Sequence, residues 1–132
     1  MIGVVIVTHS HMAAEMCRAA EMILGPLDAV IAVNIEPETS VDEARNRVFD
    51  AFNEAGSDGD GVLIMTDLFG GTPTNISAEL LEEGNVDILT GVNLPMLLKC
   101  ASLRLTCELE DLAVQLAEYA RTSIVRPLEL LR

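Results

Sequence analysis

The stretch MIGVVIVTHSH, residues 1–11, decides how the rest of the chain is read. Ile2 through Val7 is an almost unbroken apolar run, the pattern of a strand buried on both faces, as in parallel sheets. It stops abruptly at Thr8, His9, Ser10 and His11, so polar side chains are delivered to one edge of that sheet. Ligands of open parallel sheets bind in the crevice beyond the carboxyl ends of the strands. His9 therefore stands where chemistry is expected, and the chain is read outward from it.

After His9 the period becomes helical. Met12, Met16, Ala19 or Ala20, and Ile23 recur at three-to-four spacing, Ser10 is placed to cap the first turn, and Gly25-Pro26 to end the helix. Ala29–Ile35 predicts a second strand. Ser40 and Glu43 form a capping box for a helix with the stripe Val41, Ala44, Val48, Phe52 and Ala55, closed by Gly56. Val62–Met65 predicts a third strand that ends at Thr66 and Asp67. In the following LFGGTPTN, residues 68–75, Thr72 reads as the N-cap of a short helix and Pro73 as its first residue. Val86–Leu89 predicts a fourth strand, and GVNLP at 91–95 opens a helix carrying Met96, Leu97 and Cys100. Thr106 is expected to cap a last long helix with the stripe Leu109, Leu112 or Ala113, Leu116, Ala120 and Ile124. In RPLELLR, residues 126–132, Pro127 argues against a helix, and Leu128 alternating with Leu130 suggests a short, oily edge strand that a partner subunit would cover. The alternation of strands with helix-length crossovers predicts one α/β domain over residues 1–132. Its sheet is open and mainly parallel, in the flavodoxin-like order 2-1-3-4, with helices on both faces and a possible antiparallel C-terminal strand exchanged in a dimer.

At 132 residues the chain is long enough to bury roughly two-thirds of its unfolded surface without staples. The formal charge of −13, with only eight Lys and Arg, repels a nucleic-acid backbone and an anionic membrane. No apolar run approaches the roughly 18 to 20 residues that a membrane span needs, and the run at Ile2–Val7 lacks the charged flank of a signal peptide, so a cytoplasmic location is expected. Cys17, Cys100 and Cys107 form no CxxC pair and are read as small buried hydrophobes rather than a disulfide framework.

Strands one and three, if neighbours, flank the topological switch point, which brings Asp67 within reach of His9. A carboxylate accepting from one ring nitrogen fixes the tautomer, frees the other nitrogen as a nucleophile, and stabilises the positive ring that attack produces. Gly70 and Gly71 let backbone approach an anion closely, and the helix start at Thr72 aims free N–H groups at it. No Lys follows these glycines and there is no GxGxxG, so the turn is not a nucleotide loop and no cofactor is called for. Two other readings stay open. His9-x-His11 with Asp67 would be a metal site, although a helix starting at Ser10 need not aim both imidazoles at one point. A flavodoxin-like module that binds without turnover is the other.

The strings VIVTHSHMAAE (5–15), TDLFGGTPTN (66–75) and TGVNLPML (90–97) resemble the IIA domain of the mannose-type bacterial phosphotransferase system, in order and spacing over essentially the full chain. The resemblance implies a phosphocarrier that takes a phosphoryl group from the phosphohistidine of the carrier HPr onto His9 and passes it to a IIB component, in sugar uptake or in a regulatory phosphorelay. Asp67 takes the place of the histidine-supporting aspartate, and Thr72 that of the hydroxyl residue of the Gly-Gly-Ser/Thr-Pro loop, so phosphoryl binding is expected at Gly70, Gly71 and Thr72. It also implies a homodimer with exchanged C-terminal strands and no metal. His11 departs from relatives that often carry an apolar or aromatic residue there, and no IIB domain follows in this sequence.

Overall fold

The computed structural model describes residues 1–132. Four strands, β1 (Gly3–His9), β2 (Val30–Ile35), β3 (Val62–Thr66) and β4 (Val86–Leu89), form one sheet in the order β2-β1-β3-β4, and every neighbouring pair is parallel. This is the expected open α/β architecture. Side chains alternate across it, as the two-residue period of a strand requires. Val4 and Ile6 face one core with α1 (Met12–Leu24), α4 (Leu94–Leu103) and α5 (Leu109–Thr122). Val5 and Val7 face the other with α2 (Val41–Ala55) and α3 (Gly71–Ala78). Ile6, Leu63 and Ile64 are fully buried, each worth about 1.5–3 kcal/mol against exposure.

The same parity sets where the strand ends point. His9 continues the Val5–Val7 row toward α3, whereas Thr8 continues the Val4–Ile6 row toward α1, where its Oγ1 accepts from the Ala13 N–H at 2.8 Å. At the opposite edge, Gly3 is required by close approach, since a Cβ there would sit 2.1 Å from the carbonyl oxygen of Ala55. Beside it the buried guanidinium of Arg104 donates to the carbonyls of Ile2, Asp28 and Ala29, tying α4 to the starts of β1 and β2.

Several local expectations are corrected. Ser10 does not cap α1; it adopts a left-handed φ of 54° that turns the chain, and His11 is the N-cap residue. The buried face of α1 is Ala13, Cys17 and Ala20, one residue on from the expected stripe, leaving Met12 and Ile23 exposed. Gly70 rather than Thr72 precedes α3, because its φ of 92° makes the turn, and Pro73 becomes the third helical residue. Glu108, not Thr106, precedes α5, and Ile124 lies beyond that helix, exposed. The C-terminal strand is not formed. Pro127–Leu130 is a single helical turn, α6, in which proline occupies the first position, where its missing N–H has no consequence. Ser40 does cap α2, accepting from the Glu43 N–H at 3.1 Å, and Asn93 caps α4, accepting from Met96 at 2.9 Å. Cys17 and Cys100 are buried free thiols, pushed up to about 11 and about 12 chiefly by burial. No helix is long and apolar enough to cross a membrane.

Candidate functional site

Parallel pairing of β1 with β3 puts Val7 opposite Thr66, so the residues just beyond, His9 and Asp67, meet at the carboxyl edge of the sheet. The His9 N–H donates to Asp67 Oδ2 at 3.0 Å, and the His9 ring nitrogen Nδ1 lies 2.8 Å from the same oxygen. Oδ1 accepts the Leu68 N–H at 3.1 Å. The Asp67 side chain is only 7% exposed, whereas that of His9 is 49% exposed. Burial alone pushes the Asp67 carboxyl up, but the backbone N–H and imidazole of His9 outweigh it and hold the group below the usual carboxylate range. An ionised carboxylate only accepts, so Nδ1 carries the proton and the lone pair of His9 is on Nε2.

That nitrogen faces the glycine turn. A Cβ on Gly71 would lie 3.2 Å from His9 Cε1 and 3.5 Å from Nε2, so the imidazole packs directly against backbone. Gly71 adopts a φ of 78°, and no side chain caps α3. The N–H groups of Gly71 and Thr72 find no acceptor in the chain, and Pro73 has none to offer. By contrast α1, which starts at the same edge, has its first turn closed by Thr8 and by Asn34 Oδ1, which accepts from Ala14 at 3.2 Å. Of the two helix starts beside β1, one is satisfied and the one facing His9 is open to an anion.

The expected site residues are therefore distributed as follows. His9, Asp67 and Gly71 converge, and Gly70 makes the turn between them. Thr72 is half-buried at the second position of α3 with its hydroxyl unbonded, on a groove it shares with Val41 and Arg45. His11 lies apart from His9, on the side of β2. Asn34 has already oriented its amide by accepting from Ala14, so its NH2 points at His11 Nδ1 at 3.3 Å, and His11 Nε2 lies 2.7 Å from the Glu36 carboxylate. Both nitrogens of His11 are engaged, and no three His, Cys, Asp or Glu side chains stand close enough to hold a metal ion together. Thr66 and Thr74, which nothing in the sequence marks as site residues, are buried beneath the glycine turn, with their hydroxyls 2.7 Å apart. The only sequence signal for Thr66 was its place at the end of a strand on the same face as Val62 and Ile64.

Known proteins resemble this chain in both sequence and fold. The family model described as "PTS system fructose IIA component" matches residues 3–116. The sorbose-specific EIIA component of the phosphotransferase system (PTS) of Lacticaseibacillus casei is 36% identical over 99 residues, which are 74% of this chain and 70% of that protein. The fructose-specific EIIA component of Bacillus subtilis is 32% identical over 124 residues, 93% of this chain and 84% of its own. Among solved structures, the phosphotransferase system component EIIA from Streptococcus agalactiae superposes with a TM-score of 0.84 over 96% of this chain and 97% of its own, at 28% identity. A shared sheet alone would leave function open, since one fold hosts many. Sequence and fold agree over nearly the whole length, and on that ground the chain belongs to the mannose-type IIA family of the phosphotransferase system.

Proposed function

We propose that His9 is the phosphoryl-accepting residue of this IIA component, taking the group from the phosphohistidine of HPr and passing it to a IIB component during sugar uptake. The observation that carries this reading is the orientation of one imidazole, with Nδ1–H on Asp67 and Nε2 turned toward a helix start whose N–H groups are free. The Nε2 lone pair attacks phosphorus in line while the bond to the donor's ring nitrogen breaks, and the electron pair of that bond returns to the donor ring. The product ring keeps its Nδ1 proton and gains positive character, which the Asp67 carboxylate balances. Gly71 and Thr72 supply backbone donors to the phosphoryl oxygens, in keeping with a chain so poor in basic side chains. Gly70 allows the turn to close, and the Thr72 hydroxyl adds a further donor.

The reaction is placed in the cytoplasm, with the chain acting as a homodimer. The dimer reading is supported by the exposure of the C-terminal apolar side chains Ile124 (84%), Leu130 (74%) and Leu131 (82%), and by a sheet whose edge strand β4 has no neighbour on its outer side. Incubation with phosphorylated HPr tests the carrier role. The expected product is an acid-labile, base-stable adduct, absent in His9→Ala and retained in His11→Ala, since His11 lies against Asn34 and Glu36 rather than against the glycine turn. An adduct that persists in His9→Ala overturns the assignment.

A further inference from the structure

Beneath the glycine turn lies a chain of buried hydroxyls that neither the catalytic pair nor the phosphoryl donors use. Thr74 Oγ1–H donates to the carbonyl oxygen of Leu68 at 2.6 Å. A hydroxyl has one proton, so at the 2.7 Å contact between the two threonines Thr66 must be the donor and Thr74 the acceptor. The order is thus Thr66 O–H to Thr74 O–H to Leu68 C=O. Thr66 is fully buried and Thr74 is 9% exposed. Thr66 is itself fixed from two sides, by its pairing opposite Val7 of β1 and by the Val92 N–H, which donates to its carbonyl at 2.9 Å. The rigid end of β3 is in this way connected to a turn that carries the exposed Leu68 and Phe69 and two left-handed glycines in succession.

Such a turn has little else to hold it. Gly70 and Gly71 remove the steric limits on the backbone, and Leu68 and Phe69 lie on the surface rather than in a core. Leu68 is the point where Asp67 and the turn diverge: its N–H goes to the Asp67 carboxylate and its C=O goes to Thr74. The residue that orients His9 and the residues that face Nε2 are therefore linked through the two peptide groups that flank Leu68.

We propose that Thr74 is a positioning residue for phosphoryl transfer: through its bond to Leu68 it holds the 67–71 turn so that the free N–H groups of Gly71 and Thr72 stay aimed at the phosphoryl group on His9. The inference rests on the His9 reading above and goes beyond it, because Thr74 touches neither the imidazole nor, in this arrangement, the transferred group. Thr74 acts on the transition state through donor placement, a contribution that depends on sub-ångström geometry rather than on docking of the donor protein.

The test compares wild type, Thr74→Ser, Thr74→Val and the double variant Thr66→Val/Thr74→Val in transfer from phosphorylated HPr. Thr74→Val preserves shape but strands the Thr66 hydroxyl in the core. The double variant removes both hydroxyls and leaves no such orphan, so it regains stability without regaining the tether. Both are expected to lower kcat about tenfold with KM for phosphorylated HPr within twofold of wild type, and Thr74→Ser to restore kcat. A double variant with wild-type kcat overturns the proposal, whatever its melting temperature, as does a loss confined to KM. Failure of wild type itself to accept phosphoryl would instead remove the His9 reading, so the two failures are distinguishable.

Discussion

Asp67 uses two oxygens to accept three donors: the His9 N–H and ring Nδ1–H on one, and the Leu68 N–H on the other. An asparagine has a single acceptor oxygen. Asp67→Asn must therefore lose at least one of these contacts, and its NH2 would oppose an N–H if the His9 bonds are kept. The ring also loses its counter-charge, so transfer from phosphorylated HPr is expected to slow about a hundredfold with the fold retained, measured by single-turnover kinetics and circular dichroism. An unchanged rate would reduce Asp67 to a turn residue. The pH dependence follows from the direction of its shift. A carboxyl whose folded-state pKa is depressed binds fewer protons folded than unfolded, so its stabilising effect is complete above the ordinary carboxylate value and is lost as pH falls through its own lower one. Denaturant melts should show wild type more stable than Asp67→Asn at pH 7, with the gap closing on acidification below about pH 4. A gap that stays constant with pH would remove the linkage.

At the scale of elements, the division of labour between the starts of α1 and α3 matters most. Thr8 and Asn34 close the first, and glycine leaves the second open. Gly71→Ala combines a left-handed backbone with a Cβ 3.2 Å from the His9 ring, so it should displace the imidazole and cut phosphoryl transfer tenfold or more while costing about 1 kcal/mol of stability. Wild-type kinetics in this variant would show that the turn does not face the reacting nitrogen. The four parallel strands of the sheet were legible because Ile2–Val7 and Val62–Met65 are near-continuous apolar runs with helical periods between them, whereas the fifth, C-terminal strand that the alternation of Leu128 and Leu130 suggests does not form. Also legible was the meeting of His9 with Asp67, which follows once β1 and β3 are neighbours. The exact helix starts were not legible. Thr72 has the side chain of an N-cap, but the backbone gave that place to Gly70, because only glycine takes a φ of 92° there without penalty. Pro127 reads as a helix breaker, although at a first helical position proline breaks nothing. Thr74 went unnoticed because a threonine inside a short helix has no pattern of its own; its role exists only once Leu68 folds back over it.

For the whole molecule, one sheet separates two cores, with the His9–Asp67 pair at one edge and Arg104 tying down the other. The C-terminal residues 123–132 are the least buried stretch, with Ile124, Leu130 and Leu131 exposed to solvent. Sedimentation is expected to give the mass of a dimer for the intact chain and of a monomer once residues 123–132 are deleted; a monomeric intact chain would remove the dimer reading. The double attachment of His9 to Asp67 bears on how partners read the molecule. Backbone and ring of the same residue grip one oxygen, so the imidazole has no room to swing when it is loaded. On the proposed role of His9, full and empty carriers should then share one outline, and a downstream protein would have to sense the cargo as added negative charge at a fixed address rather than as a change of shape.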